Sequence, residues 1–239
     1  MKHWILPFGV AAVAGLALPA SAPSFDSEQL HYVINWPSGL SLGEATLHGS
    51  RVTATQTETS KSSGHYEFDF NIDAGIPGFR VADKYHSEGN ADFCSVLFDK
   101  NIVHGNKKTE EKTSFDQQRQ TAARETVNGG GKSEVSTASC AKDALDYLFY
   151  VRKELSQGRL PPPQKVFFGS GYETRLEFSG TQIVKVADKD VEADRLTASV
   201  KGPSSDLSFE VFFLKDPART PALVRVPVGG IKFSMELER

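Results

Sequence analysis

The side chains best suited to hold a ligand lie close together past the middle of the chain. They are Tyr147, Tyr150 and Arg152, with Asp146 just before them. Asp146 and Tyr150 are four residues apart, so in a helix they share one face. Tyrosine and arginine on a helix that covers a sheet can supply the few polar contacts of a mostly apolar pocket. We therefore predict a ligand site at Tyr147, Tyr150 and Arg152. The simpler alternative is that Arg152 pairs with a carboxylate while both tyrosines pack with their hydroxyls reaching out.

Two glycine-rich motifs resemble catalytic signatures but lack their defining residues. Residues 130–133 read Gly-Gly-Lys-Ser, as at the end of a phosphate-binding loop, yet Thr126 stands where the first glycine is needed. Residues 169–171, Gly-Ser-Gly, lack the longer Gly-x-Ser-x-Gly pattern that exposes a nucleophilic serine. Both segments are typical of turns. Neither predicts a nucleotide site or a catalytic residue.

The histidines beyond the first few residues show no metal-binding pattern. They are scattered, without a His-x-His or His-Glu-x-x-His grouping, at positions His31, His48, His65, His86 and His104. Asp83 and His86 could form a carboxylate–imidazole pair near Tyr85, but no candidate nucleophile accompanies them. A surface or hydrogen-bonding role is the better interpretation of that pair. The sequence thus predicts no catalytic residue, no metal ligand and no cofactor, and it favours a protein that is not an enzyme.

The first 22 residues have the three parts of a secretory signal peptide. The basic start Lys2-His3 precedes an apolar run from Trp4 to Leu18, and Ala20-Ser21-Ala22 supplies a small-residue cleavage site. The run is shorter than the roughly 20 apolar residues of a membrane span. We predict cleavage near Ala22, and because no cysteine follows that site, the protein is not expected to be a lipoprotein. The mature chain should be soluble, without a transmembrane segment, and periplasmic or secreted.

Export bears on the two cysteines, Cys94 and Cys140. In an oxidising compartment an even pair most simply forms one disulfide. A redox-active pair would need closely spaced, activated thiols such as Cys-x-x-Cys, and these two are far apart in the sequence. We predict a structural disulfide between Cys94 and Cys140.

Apolar residues recur at every second position along most of the chain, which is the period of a half-buried strand. The alternation is clearest in residues 65–72, where aromatic and aliphatic side chains alternate with polar ones. The period changes to that of a helix between residues 139 and 158, with Ser139 as the predicted N-cap. We predict a mostly β fold: a large antiparallel sheet forming a barrel or half-barrel, with one amphipathic helix at about 140–157 packed on or inside it.

Residues 23–239 are expected to form a single β-rich domain. Three prolines at 161–163 could mark a boundary, but the helix before them has one apolar stripe and needs a sheet to cover. Without Lys2, the predicted mature chain has 26 Lys and Arg against 30 Asp and Glu. This balance gives no electrostatic reason to expect binding to nucleic acid or to anionic membrane surfaces.

Four segments in a fixed order resemble a family of exported bacterial proteins known as domain of unknown function 3108. In that family the helix is typically an aspartate-led apolar segment that ends in Tyr-x-x-aromatic-x-Arg or close to it. The resemblance implies an antiparallel β protein of the cell envelope, with no established activity and no functional residues to carry over. The segments are residues 30–36 with Leu42-Gly43, residues 83–87, residues 143–152, and residues 209–214 with 216–221.

The function that these observations favour is non-enzymatic binding or escort of an apolar or amphipathic envelope component. A chain with sixteen phenylalanines and this many strands is large enough to enclose a cavity. The alternative is a structural or interaction module in envelope assembly, with an envelope protein as partner and an open sheet edge or apolar patch as its contact. A hydrolase with a dispersed site is a weaker alternative. The sequence does not set the oligomeric state.

Overall fold

Alternation of apolar and polar residues builds most of this molecule from β-strands. The structure is a computed structural model that describes residues 25–53, 64–127, 129–203 and 206–238. The described residues form one helix, α1 (Ala144–Ser156), and fifteen strands. The strands are β1 (Ser27–Asn35), β2 (Ser41–Val52), β3 (His65–Ile76), β4 (Phe79–Gly89), β5 (Ser95–His104), β6 (Lys107–Asp116), β7 (Thr121–Thr126), β8 (Lys132–Ser136), β9 (Lys142–Asp143), β10 (Gln164–Phe168), β11 (Ser170–Val186), β12 (Lys189–Lys201), β13 (Asp206–Leu214), β14 (Pro221–Val228) and β15 (Ile231–Leu237).

All of these strands belong to one sheet, which confirms the predicted fold class. Their order is β8-β7-β6-β5-β4-β3-β2-β1-β15-β14-β13-β12-β11-β10-β9. Every neighbouring pair is antiparallel except β9 and β10, which are parallel. The sheet is not closed by backbone hydrogen bonds, because β8 and β9 are its two terminal strands. The half-barrel is therefore the form that the structure takes.

The helix was predicted correctly, but it begins later than expected. Its N-cap is Asp143, whose side chain accepts hydrogen bonds from the backbone N–H groups of Leu145 and Asp146. Ser139 was the wrong N-cap because the chain after it forms β9, which pairs with β10 before the helix starts. A capping carboxylate also interacts favourably with the positive end of the helix.

The helix lies between two parts of the sheet, and both of its sides are buried. On one side, Phe149 stacks on Phe68 of β3 with ring centroids 3.8 Å apart, and Phe25 packs edge-on against it. On the other side, Tyr147 and Val151 join a separate apolar cluster with residues of β12 and β13. Among the described residues, these side chains fill the space between α1 and the sheet, and the expected ligand cavity is not found there.

The disulfide predicted between Cys94 and Cys140 is present. It joins the connection between β4 and β5 to the segment just before the helix, with the two Cα atoms 4.6 Å apart. Beside it, the side-chain NH2 group of Gln117 donates to the carbonyl oxygens of Ser95 and Ala141. The start of the helix is thereby held against the sheet by covalent and polar contacts.

Three sequence predictions concern residues outside or at the margin of the described chain. The signal peptide at 1–22 lies outside the described residues and stays a prediction. Residues 51–59 contain four threonines and few large apolar residues, which predicts a solvent-exposed strand. They are described only as far as residue 53, where β2 has ended at Val52. In the part of the chain that the structure describes, no helix is long and apolar enough to cross a membrane.

Candidate functional site

The three side chains predicted to bind a ligand do not line one cavity. Arg152 is fully buried, and its guanidinium forms a bidentate ion pair with Glu28 of β1 at 2.6 and 2.7 Å. Its third donor, Nε, reaches the carbonyl oxygen of Ala218 at 3.0 Å. The rings of Phe25 and Phe149 lie 4.6 and 4.8 Å from its central carbon. All sides of this guanidinium are therefore occupied by the protein itself.

The two tyrosines lie on the other flank of the helix. Tyr147 is buried, and its hydroxyl has no hydrogen-bond partner among the described residues. Tyr150 is half-buried, and the ammonium of Lys142 lies 4.6 Å from the centre of its ring. Burial lowers the pKa of Lys142. The assignment of Tyr147, Tyr150 and Arg152 to a ligand site stays a prediction, and the observed contacts favour the packing alternative.

The burial of a carboxylate pair at the helix start was not predicted from the sequence, although Asp146 was singled out there. Asp143 and Asp146 are both fully buried. Ser87 donates to Asp143 at 2.7 Å, and Ser95 donates to Asp146 at 2.6 Å. Burial raises the pKa of Asp143 and, together with the nearby Asp143 charge, raises the pKa of Asp146 well above its usual range. With no access to solvent, this pair stabilises the helix start and is not placed to act on a substrate.

The pair considered for Asp83 and His86 does not form, because the two residues lie on opposite faces of β4. Asp83 points inward and binds His104 of β5 at 3.0 Å, and it accepts a hydrogen bond from the Tyr85 hydroxyl at 3.0 Å. His86 points outward, 2.9 Å from Asp69. A structural role for these groups is the one that their contacts support.

Polar side chains of β5 and β7 reach the β10–β11 segment across the open part of the sheet. We use the term seam for the line where β6–β8 face β10 and β11. Lys100 of β5 forms an ion pair with Glu111 of β6 at 2.7 Å and also approaches the carbonyl oxygen of Phe168 at 3.5 Å. Arg124 of β7 donates to the Ser170 hydroxyl at 3.4 Å. The seam is thus held by a few polar contacts that a ligand could rearrange without breaking strand pairing.

A pocket of about 270 Å³ opens along this seam. Its apolar surface comes from both sides, and includes Ala122 and Val135 on one side and Phe167 on the other. The Phe167 ring is fixed edge-on against Phe115 of β6, with centroids 5.5 Å apart. This volume is close to the lower end of the range for small-molecule sites, which is about 300–1,000 Å³.

The charged groups that line the seam pocket are both basic. They are Arg124 and Lys165, and the described residues of the lining include no aspartate or glutamate. Just outside the lining, Glu111 lies 4.0 Å from Arg124 and Glu173 lies 3.8 Å from Lys165, so each cation also has an acidic neighbour. Hydroxyl groups accompany them, from Thr113, Ser133, Ser136 and Ser170. The tight turn at Gly169, with φ of +81°, adds backbone atoms at the pocket wall. Cations and hydroxyls above an apolar floor can hold an anionic head group and the first part of an apolar chain.

The motif at residues 130–133 belongs to the turn and strand beside this pocket, not to a phosphate loop. Lys132 begins β8 and pairs with Glu125 of β7 at 2.8 Å. No helix follows it, since β8 continues to Ser136. Gly130 and Gly131 thus lie in the predicted turn, between β7 and β8, while Lys132 and Ser133 already belong to β8; residue 128 lies outside the described residues.

The fold defines a class of barrel-like proteins with an open antiparallel sheet. The solved structure of a beta-barrel-like protein of domain of unknown function DUF1849 from Brucella abortus is similar to this one, with a TM-score of 0.62 and 7% sequence identity over 89% of this chain and 96% of that chain. At such low identity the likeness concerns the fold alone. The chain belongs to the family described as protein of unknown function (DUF3108), whose model matches residues 29–236. No curated protein matches it.

The seam residues could not be assembled from the sequence because they come from distant segments, but one signal was present. Arg124 follows Ala122 at the spacing that puts both on the inner face of β7. Lys100 likewise shares the inner face of β5 with Phe98. A basic residue at a core-facing position of a strand needs a partner or a ligand, and it marks a site worth inspecting.

Proposed function

We propose that this protein is a non-enzymatic envelope protein that binds an amphipathic, anionic compound in the seam pocket. The observation that carries the proposal is the combination of two cations, Arg124 and Lys165, with an apolar floor in a preformed pocket whose described lining contains no acidic residue. A fatty acid or a lysophospholipid has the matching chemistry, because a negative head group precedes an apolar chain. The chain would extend from the small pocket along the open seam.

We further propose that the mature protein begins after Ala22, forms one β-rich domain over 23–239 and works in the periplasm or outside the cell. The disulfide between Cys94 and Cys140 supports this location, since such bonds persist in oxidising compartments. N-terminal sequencing of protein isolated from a periplasmic fraction tests the cleavage. A chain that starts at Met1, or that is found only in the cytoplasm, would contradict this part of the proposal.

The ligand proposal is tested by titrating the mature protein with a fluorescent fatty acid and with a fatty alcohol of equal chain length. We expect saturable binding of the acid and weaker binding of the alcohol. The double variant Arg124→Ala/Lys165→Ala should weaken binding of the acid at least tenfold, because two charge-assisted contacts are lost. Arg175→Ala is the matched control, since Arg175 is exposed and pairs with Glu177 on the same strand.

Equal affinity for the acid and the alcohol would overturn the anionic specificity. If the double variant and Arg175→Ala lost the same amount of affinity for the acid, the seam pocket would not be the binding site. Urea unfolding of each variant with its disulfide intact shows whether the fold is preserved, so that a binding defect is not confused with unfolding.

A second candidate function rests on the free edge of β8. This terminal strand is exposed at all five positions, and the interior beside α1 is filled. An unpaired edge can accept an extended segment of a partner as a further strand. The protein would then be an interaction module in envelope assembly. Site-specific crosslinking from Glu134 that captures a reproducible envelope protein would favour this function, and crosslinking only to lipid would favour the first.

A further inference from the structure

Three of four neighbouring hairpin tips at one end of the sheet carry large apolar side chains that face solvent. We call these residues the apolar rim: Leu40 of the β1–β2 turn, Ile76 and Phe79 of the β3–β4 turn, and Val228 before the β14–β15 turn. Between 47% and 65% of each residue is exposed. The β5–β6 turn at Gly105 packs beside Phe79, where a Cβ atom on Gly105 would lie 3.2 Å from the Phe79 ring.

The four tips lie at the same end because strand direction alternates from β6 to β14 through the sheet. The seven strand spacings between these two strands correspond to about 34 Å along the curved edge. Two contacts join neighbouring tips. Trp36 and Phe233 pack edge-on at 5.1 Å between the β1–β2 and β14–β15 tips, and the Gly105 N–H donates to the Arg80 carbonyl oxygen at 2.7 Å.

The charges on these tips are all positive. Residues 35–42, 76–80, 103–108 and 227–233 contain four basic residues, counting arginine and lysine, and no aspartate or glutamate. Arg80 pairs with Asp73 further down the strand. The other three, Lys107, Lys108 and Lys232, are exposed and have no ion-pair partner among the residues that the structure describes.

This local pattern contrasts with the net charge of −3 for the whole chain. The net charge of the whole chain gives no electrostatic reason for membrane binding, because it does not show where the charges lie in the fold. On these four tips the folded sheet brings cations and apolar side chains together, although the chain as a whole is acidic. Apolar groups that enter the headgroup region and lysines that reach phosphate groups are the two contributions used by proteins that lie on membranes.

We propose that the apolar rim and its three lysines dock this protein on the surface of a bilayer that contains anionic phospholipids. The four separate tips along a curved edge suit the plane of a lipid surface, which can accept each tip independently. Charge complementarity selects anionic lipid, because each of the three lysines lacks a carboxylate partner within the described protein. The docking surface is distinct from the seam pocket, and its test is independent of ligand binding there.

The test is flotation of the mature protein with phosphatidylcholine vesicles, prepared with or without phosphatidylglycerol. We expect flotation only with phosphatidylglycerol, and less of it as salt is raised. The variant Lys107→Ala/Lys108→Ala/Lys232→Ala should reduce partitioning about a hundredfold, from roughly fivefold for each lysine. The variant Leu40→Ser/Ile76→Ser/Phe79→Ser should reduce it at least tenfold.

Matched controls are available at other sites. Phe178→Ser/Ile183→Ser removes equally exposed apolar groups from β11, and Lys185→Ala/Lys189→Ala removes lysines beside the β11–β12 turn at the opposite end of the sheet. Both controls should float like the parent protein. No flotation of the parent, equal flotation with both vesicle types, or equal loss in rim and control variants would overturn the proposal. Arg124→Ala/Lys165→Ala should float normally, which separates this surface from the seam pocket.

Discussion

The buried ion pair between Glu28 and Arg152 gives the most stringent test of the described core. In Glu28→Ala the guanidinium of Arg152, which is fully buried, keeps its charge but loses both of its bidentate bonds. Breaking a buried pair by removing one partner costs about 3–5 kcal/mol. The remaining bond to the Ala218 carbonyl oxygen and the neighbouring aromatic rings offset only part of that charge. We expect Glu28→Ala to lower the free energy of unfolding by about 3–5 kcal/mol.

The structure also predicts an asymmetry between the two partners. Glu28 retains 16% side-chain exposure and can turn towards water, whereas Arg152 cannot. Arg152→Met should therefore cost less than Glu28→Ala, and Glu28→Ala/Arg152→Met should recover part of the loss, because no unpaired buried charge remains. The control is Glu192→Ala, which breaks an exposed ion pair of 3.2 Å with Lys215 and should cost about 0–1 kcal/mol.

Urea unfolding with the disulfide intact measures these differences. The reasoning is refuted if Glu28→Ala is within about 1 kcal/mol of the parent, as the exposed control is expected to be. It is also refuted if the double variant is less stable than Glu28→Ala alone. Either result would mean that Arg152 reaches solvent or a second partner, and the ligand role first predicted for it would then regain support.

Three further predictions concern the start of the helix. Because the pKa of Asp146 is raised in the folded state, the parent loses stability as pH rises from about 4 through that folded-state pKa. Asp146→Asn cannot titrate, so the free energy of unfolding of this variant, relative to the parent, should increase between pH 4.5 and 8 in urea unfolding. A difference that stays constant with pH would contradict this. In Gly89→Ala the new Cβ atom would overlap with the Asp146 carboxylate, and this overpacking should lower the free energy of unfolding by about 1–3 kcal/mol. An unchanged thermal unfolding midpoint would show that the helix start can move. Cys94→Ser/Cys140→Ser should lower the free energy of unfolding by about 2–4 kcal/mol relative to the disulfide-bonded parent in urea unfolding. The reduced parent should unfold like the variant, and a reduced parent as stable as the oxidised one would contradict this.

The sequence predicted best the elements whose burial differs between two faces. Residues 65–72 alternate cleanly, and they form β3 with Phe68 in the core. The helix was recognised for the same reason, since its period changes from two to about 3.6. Its start was misplaced because β9 and the disulfide, which depend on residues far away in sequence, determine where the chain can become helical.

Elements whose two faces do not differ in burial were not predicted, or were predicted as two shorter strands. All five residues of β8 are exposed, so Lys132–Ser136 shows no alternation and its edge role depends only on pairing with β7. The dipeptide Ser179-Gly180 is typical of a loop between two strands, but in the structure it is an irregularity within the continuous strand β11. The seam forms where β8 faces β10 and β11. A pocket made by segments this far apart has no local signature.

The two proposed surfaces are related by the direction of the strands. Continuous antiparallel order from β8 to β10 places the β10–β11 turn at the same end of the sheet as the apolar rim. Gly169 of that turn lines the seam pocket, as does Pro203 of the β12–β13 connection, which lies at this end as well. A protein docked by its rim would thus bring that end of the pocket towards the bilayer, where amphipathic anions are concentrated. We expect Arg124→Ala/Lys165→Ala to lose ligand binding but to float normally with vesicles. The rim variants should bind ligand normally but float less. Together these results would establish that bilayer docking and ligand binding are separate activities of two surfaces at one end of the sheet.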